Sequence, residues 1–176
     1  MLRYYVTDRA RADVFSAARR AIDAGVDMIQ VREKDMDGGP LLRLVCQIVA
    51  AAKGTRTRIL VNDRLDVALA AGADGVHLPA NGLRVALVRS RIDLVGISTH
   101  TLDEVQRAEA DGADFAVFGP IFETPGKTAV GLERLSEVTR GTGLPVYGIG
   151  GVTMKNATDV IAAGATGIAG IRLFQS

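Results

Sequence analysis

The chain has 176 residues, of which 48% are hydrophobic, and its formal net charge is +1. These values allow one well-packed core and argue against two ordinary domains, so we expect a single domain over residues 1–176. The small net charge argues against a protein that binds nucleic acid or an acidic membrane surface. Small molecules are therefore the expected partners.

Cysteine usage and hydropathy bear on the cellular compartment. Cys46, the only cysteine, is flanked by apolar residues and is predicted to be a small core residue, not a disulfide partner or metal ligand. The sequence shows no signal peptide and no run of about 18 apolar residues that would span a membrane. We therefore expect a cytoplasmic protein with no membrane partner.

Short apolar runs rich in β-branched and aromatic residues alternate with longer, alanine-rich amphipathic stretches, which is the pattern of parallel strands joined by crossover helices. In chain order, the predicted strands are Leu2–Thr7, Met28–Val31, Ile59–Val61, Gly75–Leu78, Leu94–Ile97, Phe115–Phe118, Val146–Ile149 and Gly167–Ile171. The predicted helices are Val14–Ala24, Leu41–Lys53, Leu65–Ala71, Leu83–Arg89, Leu102–Asp111, Leu132–Thr139 and Met154–Ala163. Eight strands predict an α/β fold of the (β/α)8 TIM barrel type, and an open doubly wound sheet is the alternative.

A short glycine-containing segment recurs between a helix and the next strand, at Gly25–Asp27, Gly72–Asp74, Gly112–Asp114 and Gly164–Thr166. Glycine takes the left-handed conformation that ends a helix, and the spacing of about two βα units predicts construction from quarter barrels. The sequence stops soon after the eighth strand, so we expect a small barrel without its last helix. An uncovered apolar flank predicts a homo-oligomer or a truncated chain.

The active site of such a barrel lies at the carboxyl ends of its strands. After the second strand, alternation sends Gln30, Arg32 and Lys34 to one side, where an amide and two cations suit a polyphosphate, although a solvated loop is the alternative. Asn62 and Asp63 follow the third strand. The Asp63 carboxylate could hold magnesium against phosphate oxygens or could cap the following helix.

Further polar residues follow the fourth and fifth strands. Ser98, His100 and Thr101 precede a helix that Ser98 or Thr101 could cap, and His100 is either a proton carrier or an ordinary surface residue. His77 in the fourth strand is predicted to be structural.

Two loops near the end of the chain complete the predicted rim. The long segment Gly119–Thr128 carries Lys127, which could close over an anionic substrate. The glycine-rich segment Gly148–Thr153 is predicted to open a helix, and Arg172 follows the eighth strand. Barrels commonly bind a phosphate between these last two loops through glycine N–H groups and helix N-termini. The segment is not a dinucleotide fingerprint, because the following strand and ribose-binding acid are missing.

In this order, the motifs resemble those of the thiamine phosphate synthase and TenI superfamily along the whole chain. They are Q-x-R-x-K at Gln30–Lys34, N-D at Asn62–Asp63, G-x-S-x-H-T at Gly96–Thr101, G-P-x-F-x-T-P-x-K at Gly119–Lys127 and G-I-G-G at Gly148–Gly151. The resemblance implies an enzyme of thiamine biosynthesis. Such a synthase condenses hydroxymethylpyrimidine pyrophosphate with hydroxyethylthiazole phosphate and releases thiamine phosphate and pyrophosphate.

The resemblance also implies roles for individual residues. The pyrimidine pyrophosphate would be bound by Gln30, Arg32, Lys34, Asn62, Ser98 and Lys127, of which Ser98 and Lys127 would also be catalytic. The thiazole phosphate would be bound by Thr124, Gly126, Gly150, Gly151, Ile171 and Arg172. Asp63 would bind Mg²⁺.

Two positions depart from the family pattern. Gly82 stands where the synthases have a second magnesium aspartate, so magnesium binding is expected to be weak, with Asn81 offering a neutral oxygen. Gly126 stands where they have a second threonine. An alternative is therefore a TenI-type thiazole tautomerase that uses His100 as acid and base. A further alternative is a thiamine phosphate-binding protein without turnover.

Overall fold

A computed structural model describes residues 1–174 and shows eight parallel strands in one closed barrel. In order, the strands are β1 (Leu2–Val6), β2 (Met28–Val31), β3 (Arg58–Asn62), β4 (Gly75–Leu78), β5 (Leu94–Thr99), β6 (Phe115–Phe118), β7 (Val146–Gly148) and β8 (Gly167–Gly170). Each strand pairs with its neighbours in sequence, and β8 closes the ring by pairing with β1. The predicted barrel is confirmed, and the alternative of an open sheet is wrong because no pair of edges is left.

All seven predicted helices occur: α1 (Val14–Asp23), α2 (Gly38–Ala52), α3 (Leu65–Ala71), α4 (Val85–Val88), α5 (Leu102–Ala110), α6 (Gly131–Arg140) and α7 (Ala157–Ala162). Two of them, α4 and α7, are shorter than predicted by more than one residue. Because α7 begins at Ala157 and not at Met154, the glycine-rich turn after β7 does not open that helix directly. Within residues 1–174, β8 is followed only by a 3₁₀ turn at Arg172–Phe174, and no helix of this part is long and apolar enough to cross a bilayer.

The barrel interior is filled by side chains that alternate inward along the strands. Aromatic rings dominate it: Tyr4 and Phe115 meet edge to face at 5.5 Å between centroids, and Phe115 and Tyr147 at 5.3 Å. These rings pack with Met28 and Leu60. Because the interior is solid, a ligand has room only at a rim of the barrel.

The buried face of α2 corrects one prediction. Its inward residues are Leu41, Val45, Ile48 and Ala52, which recur at helical spacing. Cys46 follows Val45 by one residue, a rotation of about 100° around the helix axis, and its side chain is exposed. The prediction of a core cysteine was wrong because it used neighbours in sequence instead of neighbours on the helix face.

The repeated glycine segments have a clear structural role at the amino ends of the strands. Gly25, Gly72, Gly112 and Gly164 all have positive φ values, between +65° and +98°, as the predicted helix ends require. In three of the segments an aspartate carboxylate then accepts the backbone N–H of a residue at the start of a neighbouring strand: Asp27 from Arg3, Asp74 from Ile59 and Asp114 from Val95. Each of these three repeats therefore fixes the start of one strand to the start of the next.

Candidate active site

A cavity of about 350 Å³ opens where β2, β3 and β4 end. Its wall includes Lys34, Asn62, Asp63 and Asn81, which lie on three different connections of the barrel. Strand pairing fixes this convergence, since Asn62 lies beside His77 in the register of β3 and β4. Two cations, two amides and two carboxylates thus face a space large enough for a small phosphorylated molecule, because Glu33 and Arg64 also line it.

Asp63 is held in a left-handed backbone conformation with φ of +58°, and it is the only non-glycine residue with positive φ in the described chain. Its backbone N–H donates to the His77 carbonyl at 2.9 Å. The N-cap position of α3 is Arg64, so Asp63 does not cap that helix. Within residues 1–174 the Asp63 carboxylate accepts no hydrogen bond, which leaves both oxygens for a cation.

Arg64 is a cavity residue that the sequence reasoning missed. Its guanidinium contacts Asp66 at 2.7 Å and lowers the pKa of that carboxyl to about 2. Lys34 is exposed and has no ion-pair partner among residues 1–174. Because Arg64 is already paired with a carboxylate, Lys34 is the cavity cation better placed to meet an incoming anion. The sequence feature that could have identified Arg64 as a cavity residue is its position directly after the predicted site residues Asn62 and Asp63.

The cavity does not follow the predicted division of the polar side chains after β2, because Lys34 lines it together with Glu33, whereas Gln30 and Arg32 do not line it. Glu33 is buried, and its carboxylate accepts from Thr7 Oγ1 at 2.6 Å and from the Arg9 N–H at 3.1 Å. Arg32 is half-buried on the other side, near His77. The buried glutamate links the ends of β1 and β2, so it stabilises the rim and also forms part of the cavity wall.

A line of buried polar side chains runs beneath the rim. Gln30 Nε2 donates to Tyr4 Oη at 3.0 Å, Tyr4 Oη lies 3.1 Å from His77 Nδ1, and His77 Nε2 lies 2.9 Å from Ser98 Oγ. Gln30, Tyr4 and His77 are at most 3% exposed, whereas Ser98 is half-buried. Burial, with a smaller effect of Arg32, lowers the pKa of His77 to about 3. The imidazole is therefore neutral at physiological pH and does not reach the surface.

Sequence reasoning placed Gln30 at the mouth, but the structure places it one layer below, bonded to Tyr4. Tyr4 itself was missed. Its signal was a phenol at an inward position of an otherwise apolar strand, where a buried hydroxyl needs a hydrogen-bond partner.

The segment after β5 resolves one alternative. Thr101 caps α5, since its hydroxyl accepts the Glu104 N–H at 3.2 Å while the Glu104 carboxylate accepts the His100 N–H at 2.6 Å. Ser98 is thus not needed as a cap. His100 Nδ1 lies 2.7 Å from the Gly119 carbonyl oxygen, so that nitrogen carries the proton and Nε2 remains an acceptor at the exposed rim.

The loop after β6 and the turn after β7 form one unit. Backbone N–H groups of Ile121 and Phe122 donate to the carbonyls of Ile149 and Gly150 at 2.8 and 3.0 Å. Gly151 has φ of +64°, and a Cβ atom there would lie 2.6 Å from the Phe122 Cβ. Only glycine fits this close approach.

The remaining residues predicted on the thiazole side lie around this unit. Thr124 is half-buried, and its carbonyl accepts the Lys127 N–H at 3.0 Å in a tight turn that exposes Gly126 and Lys127. Gly150 has φ of +89° and packs against Pro120. Ile171 and Arg172 follow β8, the strand that pairs with β7, and Arg172 is exposed. The residues predicted for the two substrates thus occupy one rim of the barrel, on neighbouring arcs.

A family model described as thiamine monophosphate synthase matches residues 3–174. The chain belongs to this family. A thiamine-phosphate synthase of Chlorobium limicola is 42% identical over 174 residues, covering 94% of this chain and 81% of the relative. A thiamine-phosphate synthase of Methanocella arvoryzae is 40% identical over 176 residues, covering 94% of this chain and 83% of the relative. A solved structure of thiamine phosphate pyrophosphorylase from Pyrococcus furiosus has a TM-score of 0.90 and 31% identity, and covers 97% of this chain and 85% of that one.

Proposed function

We propose that this member of the family is a transferase that condenses hydroxymethylpyrimidine pyrophosphate with hydroxyethylthiazole phosphate. The products are thiamine phosphate and pyrophosphate. The observation that carries the proposal is the cavity at the ends of β2 to β4, where Lys34 and Asn62 face the same space as the unpartnered Asp63 carboxylate. Donors for an anion beside a carboxylate for its counter-cation suit a pyrophosphate leaving group.

The pyrophosphate is assigned to the arc between β2 and β6. Lys34 and Asn62 line the cavity, Arg32 stands at the end of β2, and Ser98 presents its hydroxyl from β5. Lys127 is exposed on the loop that follows β6, from which it can reach an anion in the mouth. Gln30 would contact the pyrimidine from below through the part of its amide that does not bind Tyr4.

Magnesium fits this arc, although the ligand set is sparse. Mg²⁺ typically takes one or two protein carboxylates and completes its shell with water and substrate phosphate oxygens. Asp63 supplies one free carboxylate, and Asn81 lines the same cavity with an amide oxygen. Bound there, the cation would supply positive charge to the departing pyrophosphate.

The thiazole phosphate is assigned to the neighbouring arc. Gly150 and Gly151 follow β7, Ile171 and Arg172 follow β8, and Thr124 and Gly126 lie on the loop that packs against the glycine turn. Glycine N–H groups and an exposed guanidinium are suitable donors for a phosphate monoester. This placement would hold the thiazole ring between the two arcs, with its nitrogen toward the pyrimidine.

The reaction needs no side-chain nucleophile. The bond between the pyrimidine methylene and the pyrophosphate oxygen breaks, its electron pair leaves with the pyrophosphate, and the thiazole nitrogen donates its lone pair to the methylene carbon. The protein has to stabilise the charge that grows on the leaving oxygen, which Lys34, Arg32 and Lys127 can do as cations and Ser98 as a hydroxyl donor.

The test mixes purified protein, magnesium, pyrimidine pyrophosphate and the aromatic thiazole phosphate, and measures pyrophosphate release together with thiamine phosphate. We expect both products in equal amounts, and we expect Asp63→Ala or Lys127→Ala to lower the rate at which both form by about a hundredfold or more. Release that does not depend on the thiazole substrate, or full activity in both variants, would contradict the proposal.

One observation favours a second candidate, a thiazole tautomerase. His100 offers an Nε2 acceptor at the rim, held by its bond to the Gly119 carbonyl, and could move a proton on a thiazole carboxylate phosphate. Isomerisation of that compound that stops in His100→Ala, without pyrophosphate release in the first assay, would replace the synthase proposal. Binding of thiamine phosphate without turnover of either substrate set would instead indicate a binding protein.

We also propose that the protein acts in the cytoplasm, where thiols stay reduced, because its one cysteine is free and exposed. That the chain forms a homo-oligomer stays a prediction.

A further inference from the structure

With the Gln30 amide nitrogen toward Tyr4, the line of side chains from Gln30 to Ser98 carries its protons in one direction. Gln30 Nε2 has protons and no lone pair to accept with, so Tyr4 Oη receives that bond and must direct its own single proton elsewhere. The partner within reach is His77 Nδ1, at 3.1 Å. If His77 Nδ1 donated to Tyr4 instead, the Tyr4 proton would have no hydrogen-bond partner, and Tyr4 is 0% exposed, so water could not replace it.

This order fixes the tautomer of His77 and the role of Ser98. With Nδ1 accepting from Tyr4, the neutral imidazole carries its proton on Nε2, which donates to Ser98 Oγ at 2.9 Å. The Ser98 oxygen is then engaged as an acceptor, and its own proton is free to point into the mouth of the barrel.

We propose that His77 is a positioning residue that sets the Ser98 hydroxyl as a hydrogen-bond donor toward the anionic substrate, through the relay Gln30, Tyr4, His77, Ser98. The proposal rests on the pyrophosphate arc assigned above. A hydroxyl that could rotate freely would spend part of its time donating to a nearby acceptor in the protein, whereas one that already accepts from His77 is oriented before the substrate arrives. His77 acts through Ser98, since it is too deeply buried to touch a substrate itself.

The first measurement concerns the resting protein and needs no activity. The chain has two histidines, and long-range ¹⁵N–¹H correlation spectra at neutral pH report which ring nitrogen of each carries the proton. The geometry requires opposite tautomers, with the proton on Nε2 in His77 and on Nδ1 in His100, where it binds the Gly119 carbonyl. A His77 proton on Nδ1 would overturn the proposal.

The second measurement uses two amide replacements that separate the two bonds of His77. The longer side chain of His77→Gln can place an amide N–H near the Nε2 position and still donate to Ser98. The shorter side chain of His77→Asn can accept from Tyr4 but cannot reach Ser98. We expect kcat to fall about tenfold in His77→Asn and much less in His77→Gln, with an unchanged KM for the thiazole phosphate. Equal kcat in His77→Asn and the unmodified protein would overturn the proposal.

The double variant with Ser98→Ala tests whether the histidine acts through the serine. If it does, His77→Asn has almost no further effect once the hydroxyl is gone, and the two losses do not multiply. Losses that multiply fully would show that His77 acts independently, which contradicts the relay. Thr57→Val is the matched control, because it removes another buried hydroxyl bond, 2.6 Å to the Val26 carbonyl at the opposite rim, and should leave kcat unchanged.

Two further readouts keep the test decisive if His77→Asn fails to fold. Tyr4→Phe keeps the ring and removes the proton given to Nδ1. It should lower kcat about threefold or more and decrease the fraction of His77 that carries its proton on Nε2. A normal kcat in this variant would contradict the relay. Titration with inorganic pyrophosphate should also show a lower affinity in Tyr4→Phe than in the unmodified protein. If the unmodified protein binds pyrophosphate and shows the expected tautomers but turns over no substrate, the proposed function fails and the positioning role stands.

Discussion

Gly82 approaches the Asp63 carboxylate so closely that a Cβ atom on Gly82 would lie 3.2 Å from Asp63 Oδ1. Position 82, where the resemblance to the family implies a second magnesium aspartate, is therefore next to Asp63 in space. The same Cβ would lie 2.8 Å from the Pro79 ring, so a side chain at position 82 requires a small shift of the exposed turn that follows β4. A carboxylate introduced at position 82 would therefore lie beside the Asp63 carboxylate.

Gly82→Asp is predicted to strengthen magnesium binding, because a second carboxylate raises the negative charge of the ligand set. We expect the magnesium concentration for half-maximal pyrophosphate release to fall about tenfold. Gly82→Asn is the control of equal size without the charge and should change it little. An Asp variant that behaves like the Asn variant would show that the cation does not bind beside Asp63.

Gly151→Ala is predicted to damage the thiazole side selectively. The left-handed φ costs about 1–2 kcal/mol for any residue with a Cβ atom, and that atom would also push against the Phe122 backbone and side chain. We expect the KM for thiazole phosphate to rise about tenfold, while the affinity for inorganic pyrophosphate stays the same.

Gly54→Ala is the matched control for this prediction. Gly54 has φ of +79° but no atom within 4 Å of its ideal Cβ position, and it lies near the amino end of β3. It should lose a similar amount of stability and keep both substrate affinities. Equal KM values in the two variants would show that the glycine turn does not bind the thiazole phosphate.

Lys127→Ala is predicted to lower kcat/KM by about a hundredfold. Lys127 is exposed on the loop after β6, and without it the leaving pyrophosphate loses one stabilising positive charge. The melting temperature should not change, since Lys127 makes no ion pair in the described part of the chain. Lys53→Ala, an exposed lysine at the end of α2, controls for the lost charge. The same kcat/KM in both variants would rule out the loop as part of the site.

Alkaline pH is predicted to destabilise the barrel through its interior phenols. Burial raises the pKa of Tyr147 to about 12 from an unfolded value near 10, and it raises the pKa of Tyr4 as well. The stabilisation is complete below pH 10 and is lost as pH rises toward 12, at up to about 1.4 kcal/mol per pH unit for each phenol. Urea unfolding of Tyr147→Phe should show a shallower decline over that interval, and an unchanged decline would contradict the assignment.

The fold was predictable because buried parallel strands are continuous apolar runs, and every one of the eight was found within about two residues of its predicted ends. Ends of short helices were less predictable. The predicted α4 began at Leu83, yet that side chain is exposed and the helix covers only Val85–Val88. In so short a helix, one surface leucine is enough to shift the predicted start.

The candidate site was predictable in outline, because motifs at strand ends must meet at one rim of a closed barrel. Its inner layer was not predictable. The bond from Tyr4 to His77 joins residues 73 positions apart, and it depends on the register of four strands, which no local pattern specifies. The left-handed backbone of Asp63 and the approach of Gly82 likewise follow from the assembled barrel.

A crystal structure of this protein with magnesium and inorganic pyrophosphate would show directly where the leaving group binds. We predict pyrophosphate within hydrogen-bonding distance of Lys34, Asn62 and Ser98, with the cation between it and Asp63. Pyrophosphate bound at the amino ends of the strands, beside Arg58 and Arg91, would contradict this prediction.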